Sequence, residues 1–298
     1  MNSVSKHVCI TGISGFTGRH LAQLLIMHGW DVSGIGPERI AGQANHLDSD
    51  ISDRETIAEW LDEVRPTHLI HLAALSHVVG EPIEFYKTNL LGTEALVEAA
   101  AQASPHLERL IIASSANVYG NATTNPIAES ALIQPVNHYA LSKAAVELLA
   151  RKWTDRLPIT IVRPFNYTGV GQSERFVFAK LAAAFRRGDA RISLGNIDIA
   201  RDLADVGFVC EAYRRLLDFP GSGHTFNICT GTPTSLRDAI AALSALTDHH
   251  PEIDVDQSLI RIDDIKLLVG NPNRLFQAIG QIKPLTRDEL FLSMLSTD

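Results

Sequence analysis

An α/β fold built on a parallel sheet is predicted by three observations on this chain of 298 residues. Short apolar runs alternate with segments of helical period from residue 7 to residue 163. The first run passes into the first helical segment through a glycine turn, Thr11-Gly12-Ile13-Ser14-Gly15-Phe16-Thr17-Gly18. After Pro164 the alternation becomes irregular. Alternating strands and helices put helices on both faces of one parallel sheet, so the first half reads as a doubly wound sheet of the Rossmann type. The second half reads as a smaller C-terminal lobe interleaved with that sheet.

In order, residues 7–11 form an apolar strand, and 15–28 a helix with Leu21, Leu24 and Leu25 facing inward. Residues 31–35 are a second strand, and 54–64 a helix that stops before Pro66. A strand over 68–72, a long helical region over 83–103 and a strand over 109–113 follow. A helix over 138–154 and a strand over 159–163 complete the regular part. Beyond it come loops over 166–172, a helix over 176–187, a strand near 192–194 and a helix over 202–217 that packs back on the sheet. The expected division is a dinucleotide-binding domain over 1–165, joined by 202–230, and a substrate-binding lobe over 166–201 and 231–298.

Composition narrows the function classes. With 45% hydrophobic residues the chain can bury a sizeable core, and a formal charge of -8 argues against nucleic acid or an anionic membrane as partner. An anionic ligand stays open, because a few local arginines can hold a diphosphate on an acidic protein. The three cysteines, Cys9, Cys210 and Cys229, have no paired spacing, and Cys9, in the apolar run Val8-Cys9-Ile10, reads as a buried reduced thiol. No apolar segment reaches membrane-spanning length, and the first strand begins almost at once, leaving no room for a signal peptide. A cytoplasmic protein is expected.

The glycine turn follows a strand and opens a helix, the context in which such a motif binds a dinucleotide. Gly12 permits the tight turn, Gly15 lets backbone approach a pyrophosphate, and Gly18 allows close helix–strand packing, with Phe16 and Thr17 between them. The helix N-terminus offers N–H donors to phosphate. Asp50, followed by Ile51, either approaches the adenine amine or caps the helix beginning at Arg54; the pattern leaves both open. No acid directly follows the second strand, where Gly36-Pro37-Glu38-Arg39 stands. Arg39, with Arg19, suits a 2′-phosphate, so NADP is favoured over NAD as cofactor.

Tyr139 and Lys143 lie four residues apart in a helical segment, on one face. A phenol with a pKa near 10 is a poor proton shuttle near neutrality, and an adjacent ammonium is expected to pull that value down. Ser115 lies just past the strand over 109–113, where ligands of open α/β sheets bind. Its hydroxyl suits a developing alkoxide. Asn89, on the preceding helix, is placed to hold a proton-relay water near Lys143. Together these residues suggest hydride transfer between a nicotinamide and a carbinol or ketone. His68, His71 and His77 show no metal-ligand spacing, and no metal is expected. Lys180, Arg201 and Arg261 stand outside charge runs and are candidates for a nucleotide diphosphate.

At TGISGFTG, HLAALSHV, KTNLLGT, SSANVYG, HYALSK, RPFNYTGVGQ, GNIDIARDLADV and FNICTG the chain resembles the nucleotide-sugar branch of the extended short-chain dehydrogenase/reductase family. Within it, FNYTGVGQ, the GN…RD segment and IRIDDIKLLVGNPNRL are most similar to GDP-4-keto-6-deoxy-D-mannose reductases and GDP-mannose 4,6-dehydratases. The resemblance implies Ser115, Tyr139 and Lys143 as catalytic residues with Asn89 in support. It implies Gly12, Gly15, Gly18, Asp50 and the segment Leu72, Ala73, Ala74 at the cofactor. Ser76, Asn166, Lys180, Arg201, Arg261 and Asp264 would face the substrate, a nucleoside-diphosphate sugar, and a homodimer is implied.

Departures from the family pattern are informative. The 4,6-dehydratases carry a glutamate two residues after the serine or threonine, and here that place is Asn117, which has no useful basicity. Phe208 replaces a usual acid, and Pro37 with Glu38 replaces a usual basic pair. The expected activity is therefore NAD(P)H-dependent reduction of the 4-keto group of a nucleotide-activated 6-deoxy sugar, with no dehydration. A 4-epimerase retaining NAD and a non-catalytic NAD(P)-sensing module are the rival readings.

Overall fold

The computed structural model describes residues 6–76, 81–259 and 265–296. The chain divides into two compact units: Met1–Val118 with Pro135–Arg163 and Cys210–Phe226, and Tyr119–Gln134 with Pro164–Val209 and Asn227–Asp298.

The first unit begins with β1 (His7–Thr11), α1 (Phe16–Met27), β2 (Asp31–Ile35), β3 (His46–Leu47), α2 (Arg54–Val64) and β4 (His68–His71). A helical stretch follows as α3 (Ile83–Phe85), a π-helical turn (Tyr86–Leu91) and α4 (Gly92–Ala103). It continues with β5 (Arg109–Ala113), α5 (His138–Arg151) and β6 (Ile159–Pro164). The strands join a seven-stranded sheet in the order β10-β6-β5-β4-β1-β2-β3, where β10 is His224–Ile228. The pairs β1–β2, β1–β4, β4–β5 and β5–β6 are all parallel. This is the Rossmann-type architecture expected. Strand order reverses between β1 and β4, so their C-terminal ends open the crevice in which such sheets bind ligands. On one face, Leu69, Leu110 and Ile112 from the strands pack against Ile57, Leu61, Leu96 and Val146 from the helices, all buried.

The second unit contains β7 (Asn166–Thr168), α6 (Val177–Arg187), β8 (Arg191–Leu194), β9 (Ala200–Asp205), β11 (Pro233–Ser235), α8 (Leu236–Thr247), β12 (Glu252–Val255), β13 (Leu267–Leu268), α9 (Asn273–Ile279) and α10 (Arg287–Leu295). Strands β7, β11 and β13 all pair with β9, and β8 pairs with β12. Phe178, Phe185, Leu243 and Phe291 centre its core. Capping boxes at Ser235/Asp238 and Thr286/Glu289 start α8 and α10.

Three local expectations need correction. The helix expected over 202–217 is a strand, β9, followed by α7 (Val206–Leu217). Three-way pairing of β9 overrides its helical pattern, with Asp202 and Ala204 buried on one side. Asp202 accepts from Thr230 N and Oγ1, Gly231 N and Gly270 N, clasping two loops. The helical stretch before Ala103 is interrupted by the π turn. The cap of α2 is Asp53, accepting from Thr56 N at 3.1 Å, while Asp50 turns its carboxylate onto Ser52. Cys9 is free and buried, as expected, and so are Cys210 and Cys229.

Candidate active site

The glycine turn is constrained from three sides. Gly12 has φ +70, and a Cβ there would stand 2.8 Å from Ala73 N. A Cβ on Gly18 would stand 2.3 Å from the Gly12 carbonyl oxygen and 2.6 Å from that of Ile13. Gly15 is the N-cap of α1, and its N–H donates to Gly12 O at 3.0 Å. No side chain caps α1, so its positive end is presented by backbone alone. Leu72 and Ala73 close the floor of the turn, donating to Thr11 O and Thr11 Oγ1.

Beneath that floor lies a chain of hydrogen bonds that the sequence did not announce. Thr93 Oγ1 donates to Asn89 O, so it must accept from Nε2–H of buried His71 at 2.9 Å. Nδ1 of His71 is then an acceptor, and Thr11 Oγ1 donates to it at 2.7 Å. Burial, with the charge of Lys143, holds this imidazole neutral by depressing its pKa to about 3. A ring bonded at both nitrogens to threonines is a fixed strut. His77, the third histidine of that group, lies outside the described residues.

The π turn gives Asn89 an inward orientation. Asn89 Oδ1 accepts from Leu75 N at 2.7 Å, and Nδ2 donates to Leu75 O and to Ser142 Oγ, each at 3.0 Å. Both amide hydrogens are committed, so Asn89 clasps the segment after β4 to α5 and has none left to donate to a relay water.

Tyr139 and Lys143 occupy successive turns of α5, which Asn137 caps through Ala140 N at 2.9 Å. Ser115 lies beside the Tyr139 hydroxyl and favours its ionised form, while its own Oγ accepts from Asn117 N at 3.2 Å. Burial raises the Tyr139 pKa above its ordinary value, and Ser115 acts against that rise. The expected acidification by lysine is therefore not the balance found here. Lys143, 4% exposed, donates from Nζ to Ala113 O at 2.7 Å, and burial lowers its pKa to about 8.

The other sequence candidates are placed as follows. Arg39 donates to the Gln43 and Ala44 carbonyls, and Arg19 donates to Ser14 O and to the Glu38 carboxylate. Asp50 is exposed, Ile51 packs against Gly92, and Ser76 is exposed. Asn166, Lys180 and Arg201 belong to the second unit. Asn166 pairs in register with Leu203, two residues from Arg201 on the neighbouring strand. Lys180 Nζ donates to Ser193 O at 2.6 Å, and Arg201 donates to Ala200 O at 3.0 Å. Phe208 is packing, edge-on to Phe276. Arg261 and Asp264 lie outside the described residues. Among the described residues no helix is long and apolar enough to cross a membrane.

Known proteins match this arrangement along nearly its whole length. A family model described as GDP-mannose 4,6 dehydratase matches residues 9–294. A GDP-6-deoxy-D-talose 4-dehydrogenase of Aggregatibacter actinomycetemcomitans is 33% identical, over 92% of this chain and 91% of its own. A GDP-6-deoxy-D-mannose reductase of Pseudomonas aeruginosa is 31% identical, over 98% and 97%. Among solved structures, a candidate epimerase from Burkholderia cenocepacia superposes with TM-score 0.92 at 38% identity, covering 98% of this chain and 97% of that one. The structure of RMD from Pseudomonas aeruginosa complexed with NADPH superposes with TM-score 0.84 at 30% identity, covering 98% of each chain.

Proposed function

The chain belongs to the GDP-mannose 4,6 dehydratase family, and from that premise we propose that it is an NAD(P)H-dependent reductase. Its substrate is the 4-keto group of a nucleotide-activated 6-deoxy sugar, GDP-4-keto-6-deoxy-D-mannose first among them. The observation that carries the reading is Tyr139 on α5, beside Ser115 and one turn from Lys143, whose ammonium reaches the C-terminal end of β5 at Ala113 O. The glycine turn fits a dinucleotide diphosphate, because Gly12 and Gly18, where a Cβ would collide with backbone of residue 73 and of the turn itself, permit the tight turn that leads into the N-terminus of α1, which no side chain caps.

The bound dinucleotide supplies hydride. Tyr139, kept protonated by its raised pKa, donates its proton to the alkoxide forming at C4. Ser115 donates to that oxygen and then to the phenolate left behind. Lys143, whose ammonium lies at the end of β5, holds the nicotinamide ribose. Arg201, Lys180 and Asn166, all of the second unit, are our candidates for the diphosphate and sugar, on the strength of the family resemblance. Ser115→Ala is expected to lower turnover about 10²- to 10³-fold with cofactor affinity unchanged, as measured by loss of reduced-nicotinamide absorbance.

Asn117 stands where dehydration would need a base. With GDP-mannose and oxidised cofactor the protein is expected to form no 4-keto-6-deoxy product, which NMR of the reaction mixture tests. NADP is favoured by Arg19 and Arg39, with Glu38 opposing it. The likeness to a candidate epimerase favours one alternative, 4-epimerisation with retained NAD. Tightly bound cofactor with no net oxidation during turnover would select it. Leu141 and Leu148, exposed on α5 at seven-residue spacing, support a homodimer, testable by sedimentation velocity. A cytoplasmic site of action suits three reduced cysteines and a nicotinamide coenzyme.

A further inference from the structure

Lys143 and Glu147 sit four residues apart on α5, the spacing at which a lysine and a carboxylate normally pair. Here both carboxylate oxygens are taken elsewhere. Arg163 Nε donates to Oε1 at 2.8 Å, Arg163 Nη2 donates to Oε2 at 2.6 Å, and Ser114 Oγ donates to Oε1 at 2.6 Å. Glu147 is 0% exposed and Arg163 2%. Two buried cations thus share one buried anion, and the lysine aims its ammonium at Ala113 O instead. We propose that Glu147 and Arg163 are positioning residues: Glu147 keeps Lys143 charged at a distance, and Arg163 holds the carboxylate so that the ammonium stays free for the nicotinamide ribose.

Among the described residues, the charged and titratable groups that act on Lys143 are Glu147, on its own helix α5, and His71 on β4, held neutral. Ala113 O at the end of β5 accepts from its ammonium, and Arg163 on β6 acts on it through Glu147. Removing the anion therefore exposes Lys143 to burial alone and makes it lose its proton at lower pH. Loosening the arginine releases one carboxylate oxygen towards Lys143 and makes it hold its proton to higher pH.

The role of Lys143 at the ribose rests on the proposed function, but the decisive measurement needs neither sugar nor cofactor. The Lys143 ¹³Cε resonance, assigned by Lys143→Arg, is titrated in the full-length protein and should move with a midpoint of about 8. Glu147→Gln, which keeps the Ser114 contact, should lower that midpoint by about one pH unit. Arg163→Lys, which keeps the buried charge but donates from one point, should raise it by about the same amount. The pH at which NAD(P)H binding weakens, followed by fluorescence, should shift in the same directions. A pair that only stabilises the fold would lower the melting temperature and leave the midpoint in place. An unmoved or oppositely moved midpoint in either folded variant overturns the proposal, and Arg163→Lys decides alone should Glu147→Gln not fold. A wild type that titrates as stated but binds no NAD(P)H would instead overturn the reductase reading.

Discussion

Tyr139→Phe is expected to cut turnover by about 10²- to 10⁴-fold while leaving NAD(P)H affinity within about twofold. The substitution removes one oxygen and keeps the ring that packs 5.9 Å from Phe85, so α5 retains its position. What disappears is the proton donor, the hydroxyl beside Ser115. Single-turnover rates with a 4-keto sugar, beside fluorescence titration of cofactor, separate the two effects. An unchanged rate would mean that Tyr139 is not the acid, and a non-catalytic sensing module would be the better description.

Gly18→Ala carries the second large effect. The added carbon would stand 2.3 Å from Gly12 O and 2.6 Å from Ile13 O, both backbone atoms of the turn itself. Neither atom can rotate aside as a side-chain tip does, so α1 must move away from the end of β1. Overpacking of this kind costs about 1–3 kcal/mol. Dinucleotide binding should weaken by about tenfold or more, because the same backbone is the proposed phosphate cradle. Thermal melting and fluorescence titration read the two consequences together. A variant that melts and binds as wild type would show that the turn is looser than it stands here.

Most of the first unit was legible because its signals are local. Pro66 stops one helix, and the apolar runs at 7–11, 31–35 and 109–113 have no competing period. Tyr139, Lys143 and Ser115 were legible by type and order. Their electrostatics were not, since the rise in the Tyr139 pKa depends on how deeply α5 is buried. Glu147 stands at helical spacing from Lys143, but nothing in the order of residues says that Arg163, 16 positions on, will claim it. The His71 strut joins residues 11, 71 and 93, and Asp202 joins residues 230, 231 and 270. These are long-range hydrogen bonds between single polar residues, which leave no periodicity to read. Strand β9 was misread as helix for a related reason, because its pairing partners are remote in sequence.

The central claim is that Tyr139 and Ser115 serve a hydride transfer to C4 of a nucleotide-linked keto sugar. Its most direct test is a single turnover of GDP-4-keto-6-deoxy-D-mannose with NADPH deuterated at the transferring position, followed by NMR of the product. Stoichiometric cofactor oxidation and deuterium at C4 of one 6-deoxyhexose stereoisomer are expected. Unoxidised cofactor, or a product with no deuterium at C4, would contradict it.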